Sequence, residues 1–385
     1  MMNELERDAV LAEVTQRGYK LKYASDDMKA DRGVVLAAVA QHGWALQYAS
    51  EELRNDREVV LAAIAQRGSA LKIASTDMWA DRGVVLAAVT NDGSALQYAS
   101  EQMKADRGVV LTAVAAVAYI GSALEHASTD MRADREVVMA SVSRDGRTLQ
   151  YASTDMRADR EVVLAAVSNR GWVLKYASVA IQSDREVVLV AVDQHGDALE
   201  YASVTLRDDR EVVLAAVTRS GNALQFASVQ LRDDREVVLV AVTHNGRALK
   251  YASDELRSDR EVVLTAVSDV ALALEYASAT LRNDREVVLT AITHDKFTWH
   301  YASDELRNDK WIRGYVSDVP NHNFKMLVKM YMKFVRFDNV YKEFMRPDNP
   351  RMAKYIEHIG DDDAERYLPP MPPYVEQILK KRKIQ

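Results

Sequence analysis

The chain has no cysteine in 385 residues, no proline before residue 320, and no run approaching 18 uncharged apolar residues. Without cysteine there can be no disulfide and no thiolate metal site, which fits a reducing compartment. Without a long apolar run, no membrane-spanning helix is expected. The opening MMNELERD lacks both an apolar core and an Arg-rich leader, so no targeting signal is expected and the localisation read from it is cytoplasmic. Positive charge is also short over most of the length. Residues 309–385 carry net +4, which leaves −11 of the overall −7 for residues 1–308. An acidic body of that kind repels a phosphate backbone and argues against nucleic acid as its partner. All seven prolines lie after residue 308, and a domain boundary is expected there.

What is present is one phrase of 25 residues, clearest from Asp234 to Ser258 as DREVVLVAVTHNGRALKYASDELRS. Twelve copies start at Glu6, Asp31, Asp56, Asp81, Asp106, Asp134, Asp159, Asp184, Asp209, Asp234, Asp259 and Asp284, and fill residues 6–308. A fixed period in this range marks a repeat array, and the apolar fraction of 48% excludes disorder as its bulk state. The expected fold is all-α: an α-solenoid of twelve helical-hairpin repeats followed by a small helical C-terminal extension. At about 8–10 Å per packed helix layer, such an array would be on the order of 100 Å long.

Within one repeat, Asp234 is expected to cap a first helix over REVVLAAV-type residues. Val237, Val238, Leu239, Ala241 and Val242 spread over more than one face, as needed for a helix with neighbours on both sides. Gly246 is expected to end that helix in a left-handed conformation. A second short helix, ALKYAS, would bury Ala248, Leu249, Tyr251 and Ala252. Ser253 would cap the turn DELR, with Leu256 pointing inward. Helices this short are marginal alone, so stability must come from stacking. The arginine after each Asp is expected to form a ladder to an acid or carbonyl of the adjoining repeat, in preference to a ligand-facing stripe, because adjacent helical residues do not face each other.

Copies differ mainly after the glycine and in the middle of the second helix. The first position gives Tyr19, Trp44, Arg147, Trp172 and Arg247 among others; the second alternates Lys, Gln and Glu (Lys22, Gln47, Lys72, Gln97, Glu125). Free positions on one edge are the place for partner binding, with drift on a solvated edge as the plain alternative. Three copies depart further. The copy from Asp106 gains three residues and has His126 for Tyr. In the copy from Asp259, Ala271 replaces Gly, which would let the two helices run on. In the copy from Asp284, Lys296 replaces Gly, and Phe297 and Trp299 form either a cap on the array's end or an exposed anchor.

After residue 308 a helix is expected from Asn321 or Asn323 to about Met345, with Lys325, Lys329, Lys333 and Arg336 as a basic stripe. That stripe is a solvated face or a docking surface for an acidic partner, the acidic array included. PPMPP at 369–373 reads as a stiff linker. The basic cluster Lys380, Lys381, Arg382 and Lys383 complements a helix end or serves as a nuclear address.

No catalytic constellation and no metal or cofactor motif stands out; the eight histidines are scattered. The phrase DREVVLAAV…G.ALQYAS.ELR resembles the tandem family known as domain of unknown function 4116 over about residues 6–308. The resemblance implies helical repeats and no assigned activity. The expected function is a non-enzymatic protein-interaction scaffold or adaptor, with protein partners and no small-molecule substrate. The alternatives are repeat-wise single-stranded RNA binding and, last, an enzyme with its site in 309–385.

Overall fold

The structure is a computed structural model that describes residues 4–116, 123–309, 312, 313 and 316. It divides into two compact bodies, Met1–Leu206 and Arg207–Gln385. Each is an α-solenoid built from the same repeat, and no β-strand occurs among the described residues. The insertion at 117–122 and the proposed extension, with its stripe Lys325, Lys329, Lys333 and Arg336, its linker at 369–373 and its basic tail, lie outside the described residues.

Each repeat has three parts. In the repeat from Asp234 a leading helix runs Arg235–His244, a 3-10 helix follows at Gly246–Tyr251, and a 3-10 turn at Leu256–Ser258 closes it. The Asp234 carboxylate caps the leading helix, accepting from the N–H groups of Glu236 and Val237 at 3.0 and 3.1 Å. The same cap recurs at Asp56, Asp134, Asp159, Asp184, Asp209, Asp259 and Asp284. Ser253 Oγ accepts from Leu256 N–H at 3.2 Å, and Leu256 is buried, as the sequence led one to expect.

Two expectations fail at the glycine. The leading helix ends on Asn245, whose backbone is extended (φ −157, ψ 106), and Gly246 opens the next helix instead of terminating the previous one. No left-handed backbone is involved. A Cβ on Gly246 would lie 2.2 Å from the Ala266 carbonyl oxygen of the following repeat. Glycine eases the close approach of neighbouring repeats there. Nor do the helices run on where Ala271 stands in its place. Val270 stays extended, with φ at −130 against −143 to −159 in the other repeats.

Packing follows from the valine pairs. Val237, Val238, Ala241 and Val242 are fully buried, as are Ala248 and Leu249 from the 3-10 helix. Each fully buried Val or Leu contributes about 1.5–3 kcal/mol relative to exposure. The leading helix packs on those of its neighbours and on the 3-10 helix of the repeat before it. Tyr251, expected inside, is only half-buried. A backbone bond stitches the stack: Ser100 N–H donates to the Trp79 carbonyl at 2.9 Å, and Ser253 N–H to that of Arg232 at 3.0 Å. The last carbonyls of the 3-10 helix draw side-chain donors from the closing turn. Trp79 Nε1 donates to Leu71 O at 2.8 Å and Gln182 Nε2 to Leu174 O at 3.2 Å.

The first repeat differs in a telling way. Positions filled by buried Val34 and Ala38 in the second repeat are Ala9 and Glu13 in the first, and both are exposed. Those two positions thus carry a small residue and a charge where the second repeat buries Val and Ala.

Candidate functional site

The arginine row is taken up within the stack. In the first body Arg160 Nε donates to Asp184 Oδ2 at 2.8 Å and Arg160 Nη2 pairs with Glu186. In the second body Arg235 repeats this with Asp259 at 2.9 Å and with Glu261 at 2.5 Å. Where glycine replaces that Glu, as at Gly33, the arginine keeps only the Asp: Arg7 Nε to Asp31 Oδ2, 2.8 Å. One carboxylate therefore caps its own helix and receives a guanidinium from the repeat before. The Arg32 hydrogen bond, with help from backbone amides and against partial burial, holds the Asp56 carboxyl below the usual carboxylate range; Arg82 does the same for Asp106.

What remains open in each body is the edge formed by its 3-10 helices. Residues at the variable position (Gln47, Lys72, Lys175, Gln225, Lys250, Glu275) are exposed, and the aromatic ring that follows is half-buried from Tyr48 to Tyr301, with Ile73 and His126 as departures. Lysines lie over these rings. Lys250 Nζ is 4.4 Å from the Tyr251 centroid, and Lys72 Nζ is 5.9 Å from that of Tyr98 in the following repeat. Lys175 serves both Trp172 (4.9 Å) and Tyr176 (4.8 Å), whose rings meet edge to face at 6.3 Å. Contacts of this type are worth about 0.5–1 kcal/mol at exposed sites.

Among the residues singled out from sequence, Tyr19 (47% exposed) and Phe297 (78%) are open, and Trp44, Trp172 and Trp299 are half-buried. Trp172 is the one joined with a second ring and a lysine. Trp299 lies 4.8 Å from His300. Arg247 is exposed. Arg147 is held by a carboxylate: its Nε is 2.8 Å from Asp145 Oδ2 and its Nη2 2.7 Å, while Arg170 Nε stands 3.5 Å from Asp145 Oδ1. The Asp145 side chain is almost wholly buried. Burial opposes its ionisation, but the bonds from Arg147 prevail and the carboxyl titrates below its ordinary value. Lys325, Lys329, Lys333 and Arg336 cannot be placed, being outside the described residues.

Sequence reasoning overlooked two surfaces. It took the tyrosines as core, although a ring at the end of a six-residue 3-10 helix has solvent on one side. It also passed over the outer face of the leading helices, where shallow grooves of about 570 and 580 Å³ are lined by Arg135, Glu136 and Met139, and by Arg260, Glu261 and Leu264. The signal was there in the Leu–Ala, Leu–Thr and Met–Ala pairs that follow the buried valines.

Among the described residues no group of three or more His, Asp or Glu could hold a metal ion, and no helix is long and apolar enough to cross a membrane. Histidines serve backbone groups: His195 Nδ1 accepts from Gly171 N–H of the preceding repeat at 3.2 Å, and His244 Nδ1 lies 3.0 Å from the Val240 carbonyl of its own helix.

Ten stretches match the family described as domain of unknown function (DUF4116): 7–53, 31–79, 81–132, 115–157, 134–182, 159–207, 184–232, 209–257, 234–282 and 284–313. Most span two consecutive repeats. No curated protein matches the chain.

Proposed function

Since the chain belongs to the domain of unknown function 4116 family, whose description assigns no activity, we propose that it is a non-enzymatic scaffold that holds a protein partner along the 3-10 edge. One observation carries this reading: from the second repeat on, the buried positions of the leading helix recur while the exposed residue before the ring position changes among Lys, Gln, Glu and His. A mostly aromatic platform with a variable polar neighbour suits an extended peptide, the ring giving contact area and the neighbour giving selectivity. The Trp172–Lys175–Tyr176 group is the proposed anchor. The basic stripe from Lys325 to Arg336 is a second docking element in this reading.

The test compares the intact chain with a variant carrying Trp172→Ala and Lys175→Glu, both used as bait at moderate salt. Capture of a stoichiometric protein by the first and its loss from the second supports the proposal. Equal capture by both, or no capture by the first, would refute it.

Half-buried tyrosines beside lysines are also the makings of a base-stacking surface. Glu125 and Glu200 in the first body and Glu275 in the second stand at the equivalent position of their repeats, however, where phosphates would have to pass. The protein reading is favoured for that reason. Retention of single-stranded RNA on a filter at low salt, lost with the same double variant, would reverse that preference.

A further inference from the structure

The arginine row of the first body is closed unevenly. Arg32, Arg107, Arg135 and Arg160 each hold the capping Asp of the following repeat and also the Glu two residues beyond it, which is Glu58, Glu136, Glu161 or Glu186. Gly83 and Gly108 stand where that Glu would be, so Arg57 and Arg82 keep one carboxylate apiece. Arg57 Nε is 3.1 Å from Asp81 Oδ2, and Arg82 reaches the two oxygens of Asp106 at 2.8 and 3.3 Å. No second carboxylate meets either guanidinium among the described residues. Their side chains are 54% and 56% exposed, against 43–49% for the four closed ones. A Cβ on Gly83 would lie 2.6 Å from Arg57 Nη2, and one on Gly108 2.8 Å from Arg82 Nη2. Each guanidinium end thus lies against a glycine that has no side chain to cover it. Arg7 meets Gly33 in the same way, but its neighbour Arg32 is closed. Arg57 and Arg82 are the adjacent open pair.

We propose that Arg57 and Arg82 form a docking site for an acidic amphipathic helix of a protein partner, which supplies the two carboxylates that the glycines omit. The row itself identifies the chemistry. In the neighbouring repeats the same edge of the arginine is filled by a glutamate, so the fitting occupant is a carboxylate in the fork of a guanidinium. The two leading helices pack directly on each other, and packed helices stand about 8–10 Å apart. Seven residues of α-helix rise about 10.5 Å, so glutamates at i and i+7 of a partner can meet both arginines. The surface beside them is apolar. Leu61, Leu86 and Leu111 are half-buried in steps of one repeat, and the helices Arg82–Asn91 and Arg107–Ala115 contain no acidic residue. An apolar flank of the partner helix would lie on this strip while its glutamates fix the register. A phosphate chain would engage the arginines and leave the leucines bare. The leading helices bear this face, so the proposal does not rest on the reading of the 3-10 edge.

The test uses the full chain and two labelled, alanine-based helical peptides. One carries glutamates at i and i+7 with leucines beside them at i+4 and i+8; its twin has glutamine for both glutamates. Fluorescence anisotropy at low salt is expected to show the glutamate peptide binding about tenfold more tightly than the twin. Gly83→Glu with Gly108→Glu gives both arginines the second carboxylate found in neighbouring repeats, and should weaken binding by about tenfold with circular dichroism and thermal midpoint retained. Arg57→Gln with Arg82→Gln removes the forks without adding bulk and should do the same. Gly33→Glu, which closes Arg7 alone, should leave the affinity unchanged. Equal binding of the two peptides would overturn the proposal, as would binding undiminished in both double variants or an equal loss with Gly33→Glu. Single-stranded RNA bound more tightly than the glutamate peptide, and lost in the same double variants, would also overturn it, because a phosphate chain would then be the occupant.

Discussion

At Gly246 an added methyl group would meet the Ala266 carbonyl oxygen at 2.2 Å, a fixed backbone atom of the next repeat. At Gly33 the nearest atom to such a group is Arg7 Nη2 at 2.9 Å, the free end of a flexible side chain. The two glycines should therefore respond in opposite directions. Gly246→Ala forces two helices apart and is expected to destabilise by about 1–3 kcal/mol, the range for overpacking. Gly33→Ala lies in the first turn of a right-handed helix and is expected to stabilise by about 0.5 kcal/mol through reduced unfolded-state freedom. Urea unfolding of the two single variants decides it; a destabilised Gly33→Ala together with a neutral Gly246→Ala would contradict the packing described.

The leading helix depends on its capping Asp in two ways, through the amides it accepts and the arginine it receives. Asp56→Ala removes both and is expected to cost about 0.5–2 kcal/mol, with Asp56→Asn retaining much of the cap. Asp31, Asp56 and Asp106 are held below their usual pKa, first by arginine bonds at Arg7, Arg32 and Arg82. A carboxyl with a depressed folded pKa stabilises the fold above its unfolded value, near 4, and ceases to do so as pH falls through the lower folded value. The unfolding midpoint should thus drop as pH is lowered below about 4. A midpoint unchanged down to about pH 3 would show that the ladder contributes nothing.

Much at this scale could be read from one sequence. The Asp cap, the Ser253 cap and inward Leu256 each involve partners within three residues, so spacing alone discloses them. Gly246 was misread because a glycine after a helix fits a left-handed terminus equally well, and the carbonyl that demands it belongs to another repeat. Ala271 and Lys296 at that position were the available warning, since neither suits a left-handed backbone. The edge around Trp172 was half legible: its variability showed, but the distance to Lys175 and Tyr176 depends on the tightness of a 3-10 turn. Arg147 stands at a position that varies freely among repeats, and its tie to Asp145 two residues earlier shows only in the structure.

For the whole molecule, the repeats are expected to stand or fall together with their neighbours. A peptide of residues 234–258 alone should show no helical circular dichroism, because its valines have nothing to bury against. Glu13 of the first repeat has a complementary role. Changing Ala9→Val and Glu13→Ala restores the apolar pair found at Val34 and Ala38, and the chain should then self-associate end to end, seen as a rise in sedimentation coefficient with concentration. A variant that stays monomeric would mean that this side is guarded by something other than Glu13.

The repeat from Asp106 carries three additional residues, yet Arg107 Nε still reaches Asp134 Oδ2 at 2.8 Å and Ser128 N–H still donates to the Lys104 carbonyl at 3.0 Å. Extra chain enters between the leading helix, which ends at Ala115, and the short helix that starts at Ala123, without disturbing either tie. The corresponding junction in every other repeat is thus a natural graft point, where a foreign peptide could be spliced in and displayed at a chosen 25-residue interval.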